Sequence, residues 1–289
     1  MNKDRVIKAI SNSHNVKMTV VDATESLNNI IKLHETNPLA IIALSRVVLA
    51  TILIGSDMKN ATDKMTAIIN GNGPIGTMMA EYTGHKVRAF CGNPQFDVEQ
   101  IDRSKNVISQ VVGTDGYLRV MKDLGMKDSF SGQIELISGE INLDFTYYLA
   151  QSEQIKSVIA CSIKMNDDNT IAKAIGFYAQ LLPEHKDEDI DYLEEKVGNL
   201  ESISHKLIAE SDLTNVFKLI DENAKVLETD SVAFECSCSY EKALASAKLL
   251  GDEQLNEILE KNSEVEIVCD FCRKKYTIKV ADLKGLLKE

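Results

Sequence analysis

Four cysteines carry the chemistry this sequence is best equipped to do. Cys236, Ser237 and Cys238 make one close pair, and Cys269, Asp270, Phe271 and Cys272 make a second, thirty residues further on. Two close pairs from separate segments are the usual way a chain delivers four sulfurs to tetrahedral zinc at about 2.3 Å. The second pair is an ordinary C-x-x-C knuckle. The first is not, but residues i and i+2 of an extended segment point to the same side, so both sulfurs can converge on one ion. The same closeness lets each pair close into a local disulfide. The set therefore reads either as a structural staple or as a thiol switch, in which peroxide attacks a thiolate and the partner two or three residues away resolves the sulfenic acid.

The other reactive residue types suggest blander roles. Cys91 and Cys161 lie in or beside apolar strand segments and read as small buried hydrophobes. His14, His34, His85, His185 and His205 have no mutual spacing that suggests a metal, and they are assigned no catalytic role. Gly71-Asn72-Gly73-Pro74-Ile75-Gly76 sits between two strand patterns, whereas a phosphate loop opens a helix, so it reads as a turn. Met65, Met78 and Met79 read as core, and Glu194-Glu195 as a solvated face.

These residues must be positioned by a chain of 289 residues, 44% of them hydrophobic, which is enough to bury a core and to split into more than one unit. The start, Met1 to Arg5, leads into no long apolar run and reads as no signal peptide. The apolar stretch Leu39 to Gly55 carries Arg46 near its centre and reads as a buried core helix, not a membrane span. Six cysteines with no export signal point to a reducing cytoplasm, where close pairs mean metal or redox chemistry. The net charge of −12 is uneven: residues 1–183 are near balance with 18 basic and 19 acidic groups, while residues 184–230 carry 5 and 14. Near the cysteines the only basic run is Arg273-Lys274-Lys275, too little to gather phosphates, so neither nucleic acid nor membrane is an expected partner.

The predicted class is α+β in three parts: an N-terminal mixed strand and helix domain over 1–183, an acidic helical linker over 184–230 and a small C-terminal zinc-binding module over 231–289. In the first part, strands are predicted at Val16 to Val21, Met65 to Ile69, Ile75 to Tyr82, Lys86 to Phe90, Val107 to Val112, Tyr117 to Met121, Gly132 to Ile137, Lys156 to Lys164 and Ala172 to Leu182. Asp22, with Glu25 three residues on, is predicted to cap a helix bearing Leu27, Ile30 and Ile31, Pro38 opens the core helix, and Asn142 opens another. The linker shows no strand pattern. Ile190, Leu193, Val197 and Leu200 form one apolar stripe, and Leu213, Val216, Phe217 and Ile220 form a second, with Glu194, Glu195, Asp212 and Asp221 opposite. Helices this short need a surface to dock on. In the module, Ser239 caps a helix to Leu250, Asp252 caps another, Glu264 to Val268 and Tyr276 to Val280 form a hairpin with C-x-x-C at its turn, and Leu283, Leu286 and Leu287 suggest a closing helical turn. So little apolar mass calls for a metal.

The cysteine pairs, preceded by Phe234 and followed by Tyr276, closely resemble the C-terminus of the redox-regulated holdase chaperones of the 33 kDa chaperonin family. The stretches Asn70 to Gly76, Ser138-Gly139-Glu140-Ile141, Tyr147 to Gln154 and Gln180-Leu181-Leu182-Pro183 share the resemblance, which spans nearly the whole chain. It implies an ATP-independent chaperone, not an enzyme, that is inactive when reduced with one zinc ion per chain on Cys236, Cys238, Cys269 and Cys272. It further implies that oxidants with mild unfolding activate it, that disulfides form within each close pair, and that the oxidised form binds unfolding client proteins and forms a homodimer. The two apolar stripes of the linker are the expected client surface. The family often has Val-Arg-Gly-Tyr where this chain has Val87-Arg88-Ala89-Phe90, and a glycine pair where it has Ile175-Gly176. The rival reading is a zinc-ribbon regulator of nucleic acid or a transcription partner, and a third is a thiol oxidoreductase using Cys269 and Cys272.

Overall fold

The computed structural model describes residues 3–198, 200–261 and 264–286, and the chain divides into two compact units, Met1–Phe234 and Glu235–Glu289. The class is α+β. In chain order the first unit contains β1 (Arg5–Ile10), β2 (Val16–Asp22), α1 (Thr24–His34), α2 (Pro38–Gly55), β3 (Lys64–Asn70), β4 (Met78–Thr83) and β5 (Lys86–Cys91). It continues with α3 (Val107–Val112), β6 (Tyr117–Asp123), β7 (Phe130–Glu135), α4 (Asn142–Ser152), β8 (Ser157–Met165) and β9 (Ile171–Leu181). Then come α5 (Asp187–Val197), α6 (Leu200–Ala209), a 3-10 helix (Leu213–Leu219), β10 (Lys225–Ser231) and β11 (Ala233–Phe234).

Two sheets, ordered β10-β1-β2-β9-β8 and β11-β5-β4-β3-β6-β7, press on α2 from either side. That explains why α2 is apolar all round: Val47, Leu49, Ile52 and Leu53 meet Val21, Cys161 and Tyr178 of the first sheet and Met65, Met78 and Ala80 of the second in one core. Pro38 stands in its first turn, as the sequence predicts, and Asn37, which the sequence reading did not single out, caps it by accepting from Ala40 N at 2.9 Å. Among the described residues α2 is the one helix long and apolar enough to cross a membrane, and 78% of it is buried in this core. The opposite face of the first sheet carries the alternate residues of its strands, Val16, Met18 and Val20 with Ile175, Phe177 and Ala179, and it is covered by α5, α6 and the 3-10 helix.

At the two departures from the family pattern, both side chains fit: Ala89 and Ile175 are fully buried. Gly176 does not have that freedom. A Cβ there would lie 2.9 Å from Leu53 Cδ1 and 3.0 Å from Val21 Cγ1. Gly176→Ala is therefore expected to cost about 1–3 kcal/mol through overpacking, read as a lower denaturant midpoint of the first unit. An unchanged midpoint would show that α2 can yield.

Several sequence expectations are corrected. Val107 to Val112 is a helix, not a strand: its β-branched residues suit either, but Asn106 caps it through Ser109 N and Gly113, at φ 79°, ends it against the backbone of Gly71. Asp22 does not cap α1; it binds Thr24, and the amides of Glu25 and Ser26 are met by the buried Asp4, which immediately precedes β1. The segment 184–230 is not wholly helical, since β10 adds to the open edge of β1 across a bulge at Lys8/Ala9. Both faces of β10 are largely exposed, which hid it from periodicity, and β1 supplies the backbone partners it lacks. From there the chain crosses to the second sheet, where β11 pairs parallel with β5. The first compact unit thus ends at Phe234, and the boundaries expected at 183/184 and 230/231 do not coincide with it.

The second unit contains α7 (Tyr240–Ala247), a 3-10 turn (Lys248–Leu250), α8 (Asp252–Glu260), β12 (Val265–Val268), β13 (Lys275–Ile278) and α9 (Val280–Leu286). Ser239 caps α7 as predicted, while Gly251 rather than Asp252 stands at the start of α8. Leu283 is buried; Leu287 and the Leu286 side chain lie outside the described residues.

Candidate functional site

In the second unit, Cys236 and Cys238 lie on the extended segment before α7, held there by Lys242 Nζ, which donates to the Ser237 carbonyl at 2.6 Å. Cys269 and Cys272 lie in the turn between β12 and β13. Arg273, left-handed at φ 59°, lets the chain fold back so that its N–H donates to Cys269 O at 2.8 Å, while Cys269 N donates to Lys274 O at 3.0 Å. The knuckle also turns the amides of Cys272 and Phe271 toward the Cys269 sulfur.

These two local geometries bring the four Sγ atoms within 4.8 Å of one another, with 3.7 Å between Cys236 and Cys269 and 3.4 Å between Cys238 and Cys272. A zinc tetrahedron with Zn–S near 2.3 Å has sulfur–sulfur edges of about 3.8 Å. The four cysteines therefore fit a metal ion. Tyr276 donates its hydroxyl to Cys238 Sγ at 3.1 Å. Burial acts to raise the Cys238 thiol, but the bonds from Tyr276 and the neighbouring thiols outweigh it and hold it at about 7. Burial pushes Cys269 and Cys272 up. Of the two aromatics flanking the cysteines, then, Tyr276 belongs to the site, and Phe234 ends β11 in the first unit. The Arg273-Lys274-Lys275 run is partly engaged: Lys274 Nζ lies 5.1 Å from the Tyr276 ring and Lys275 pairs with Glu266 at 3.0 Å.

Cys91 and Cys161 are buried in the first unit, and burial raises the Cys161 thiol to about 12, so it is a hydrophobe and not a nucleophile. The glycine stretch Gly71 to Gly76 links β3 to β4 with no helix after it.

In the first unit the two apolar stripes are docked on the outer face of the first sheet. Leu193, Leu213, Val216, Phe217 and Ile220 are buried with Met18, Val20 and Phe177, and Ile190 and Val197 pack at the margin. The Leu200 side chain lies outside the described residues. Lys173 reaches from β9 to the last carbonyls of α6, 3.3 Å from Leu207 O and 3.2 Å from Ile208 O, a cation where the helix dipole is negative. Glu194, Glu195 and Asp212 face solvent as predicted, but Asp221 does not. It is buried and accepts from Ser11 Oγ at 2.7 Å, Asn12 N at 2.9 Å and Ser13 Oγ at 3.0 Å.

The same β1–β2 loop holds Asp189 at the start of α5: His14 Nδ1 lies 3.1 Å and Asn15 N 3.2 Å from Asp189 Oδ1, and the His14 ring stacks on Tyr192 at 3.6 Å. The loop thus clasps the segment near both ends. His14, which had no role in the sequence reading, is one of the clasping residues; no spacing signal could have found it, because its partners are far away in the chain.

The Lys186 amide, with Asn15 and His14, holds the Asp189 carboxyl down at about 2, and the Ser11 hydroxyl leads the groups that hold Asp221 well below the usual range. A depressed folded value gives a contribution that is complete above the unfolded carboxyl pKa, near 4, and fades as pH falls through the folded one. Docking is expected to be flat above about pH 5 and to weaken from about pH 4 toward 2. Amide exchange in α5 across that window checks it, and protection that persists at the acid end would contradict the clasp.

Comparison with known proteins gives consistent matches. The chain matches the Hsp33 protein family over residues 4–279. It is 38% identical over 295 residues to the 33 kDa chaperonin of Staphylococcus carnosus (strain TM300), covering all of this chain and 99% of that one. It is 37% identical over 290 residues to the 33 kDa chaperonin of Clostridioides difficile (strain 630), covering 99% of each. The solved 33 kDa chaperonin (heat shock protein 33 homolog) of Thermotoga maritima is similar with a TM-score of 0.85 at 29% identity, covering 99% of this chain and 98% of that one.

Proposed function

Because the chain belongs to the Hsp33 family and is therefore a chaperone, we propose that it is a redox-regulated, ATP-independent holdase of the cytoplasm. The observation that carries this reading is the set of four thiols converging in a unit with a small apolar core. Cys236, Cys238, Cys269 and Cys272 would hold one zinc ion per chain, which when bound keeps the sulfurs as thiolates and staples the module.

Oxidation takes two electrons per pair. Peroxide converts one thiolate to a sulfenic acid with loss of hydroxide, and the neighbouring thiol displaces the oxygen as water, so two thiols and one peroxide give one disulfide and two waters. Following the family resemblance, the pairs are Cys236–Cys238 and Cys269–Cys272; all the sulfurs already lie within 4.8 Å of one another, so small movements suffice. Disulfides leave no thiolate to hold a metal, and the module loses its staple. The acidic segment then gives up its docked state, and Ile190, Leu193, Val197, Leu200, Leu213, Val216, Phe217 and Ile220 become an apolar surface for unfolding clients while its net negative charge keeps the complex soluble. The oxidised form pairs with a second copy. No bond in the client is made or broken.

Light scattering of a heat-denatured client, with reduced and with peroxide-treated protein and a chromogenic chelator present, tests this. Protection should appear only after oxidation, together with zinc release. Equal absence of protection in both states, despite release, would sink the proposal.

A further inference from the structure

The open edge of β8 borders a cleft of about 720 Å³ whose walls include Arg46 of α2, Glu140, Ile163 and Lys164 of β8, and Ser204 and His205 of α6. We propose that this cleft binds a small phosphate-bearing anion, and that the bound anion holds α6 against the first sheet.

Unmet hydrogen-bond donors and unbalanced positive charge gather here. Arg46 is the one ionisable side chain of α2, an otherwise uncharged core helix, and among the described residues only its Nη1 is engaged, with Glu140 Oε2 at 3.0 Å and Glu140 O at 3.2 Å. Its Nε is buried with no acceptor among the described residues. A half-buried guanidinium whose buried Nε has no acceptor is unusual unless a further acceptor visits it.

The β8 backbone adds a donor. Amides facing out from an antiparallel edge alternate, and those of Ile159 and Cys161 are met by Thr146 Oγ1 at 3.1 Å and Asn142 Oδ1 at 3.2 Å. The next in that series is Ile163. Its cross-strand partner Ala174 spends its own N–H and C=O on Thr24 and Ala23, toward β2, so Ile163 N–H also projects from the edge, and no acceptor meets it among the described residues.

Charge points the same way. Lys164 stands directly opposite Lys173 in the β8–β9 register, a like-charge pair that is unfavourable unless an anion offsets it. Lys173 is occupied by the terminal carbonyls of α6, whereas Lys164 and His205 have no ion-pair partner among the described residues. A phosphate group suits this set, with several oxygens to take a guanidinium, a backbone amide, an ammonium and a hydroxyl at once. Ser204 and His205 stand on α6, so an occupant touching both walls binds only the docked segment and favours it. This regulatory consequence rests on the reading of that segment as the element released on oxidation; the binding does not.

The test uses the reduced full chain and inorganic pyrophosphate, with chloride at matched ionic strength as the reference. Calorimetry is expected to show saturable binding at one site per chain, weakened about tenfold or more in the Lys164→Ser, His205→Ser double variant, whose side chains are exposed and not needed for folding. Saturating pyrophosphate is also expected to slow proteolysis within residues 203–209. No saturable binding at millimolar pyrophosphate, binding indifferent to the double variant, or proteolysis unchanged at saturation would each overturn the proposal. Because neither client nor oxidant is present, these failures are distinct from failure of the holdase reading, which shows only as an unprotected client after oxidation.

Discussion

Cys269→Ser in the full chain is expected to abolish tight metal binding and to unfold residues 235–286 as one unit while the first unit stays folded. Chelation of the native protein is expected to do the same. The second unit has little else to hold it: among the described residues its buried apolar side chains are Ala243, Ala247, Leu255, Tyr276, Ile278 and Leu283, and two of the six are alanines. Its helices α7 and α8 run only 8 and 9 residues, too short to persist alone in water. Leu249, which a larger domain would bury, is 88% exposed. Tetrathiolate zinc sites contribute on the order of 10–16 kcal/mol in small modules, as large as the whole stability of an ordinary domain. Removing one ligand of four therefore leaves no surplus. Hydrogen exchange resolved along the chain is the decisive measurement. Protection retained in β12, β13 and α7 after metal removal would mean that the small core suffices, and that oxidation could not act by melting it.

The second large effect concerns the docked segment. Phe217→Ala is expected to loosen residues 187–219 in the reduced chain, exposing them to protease, and on the proposed reading to give client protection without oxidant. Phe217 is fully buried against the first sheet, and truncating a core phenylalanine costs about 3–5 kcal/mol through lost transfer energy and the cavity left behind. Its α5 keeps Glu194 and Glu195 in water, so the apolar hold of the segment on the sheet rests on a few buried side chains, of which Phe217 is the largest. Asp221→Asn separates packing from hydrogen bonding: it keeps the shape but replaces a carboxylate that accepts from Ser11, Asn12 and Ser13, at a cost of about 1.5–3 kcal/mol. If Phe217→Ala left proteolysis and reduced-state protection unchanged, the stripes would be structural and the client surface would lie elsewhere.

Features written in local residue order are legible in the sequence. Cys236 and Cys238 converge because alternate residues of an extended segment share a side, and Cys269 and Cys272 because a knuckle at that spacing turns back on itself. Helix starts marked by their own residues, α2 at Pro38 and α7 behind Ser239, were equally plain. The turn at Gly71 to Gly76 and the hairpins β4–β5, β8–β9 and β12–β13 follow from glycine, asparagine and alternation within a dozen residues. The helix α3 escaped because Val107 to Val112 is apolar enough for either state, and the deciding contacts belong to Gly71 and Gly73 on another loop.

By itself, then, the sequence determined the thiol chemistry, the α+β class and the two apolar stripes, since each is encoded by residue types at short fixed spacing. Tertiary structure alone decided what the stripes and stray charges face. It made β10 a strand by offering it the edge of β1, turned Asp221 from a presumed solvated charge into a buried acceptor 210 residues from Ser11, and set Arg46, Ile163 and Lys164 around one cleft. The physical reason is the same throughout: a hydrogen bond or ion pair depends on distance in space, and when its two partners are far apart in the chain no local pattern records that they will meet.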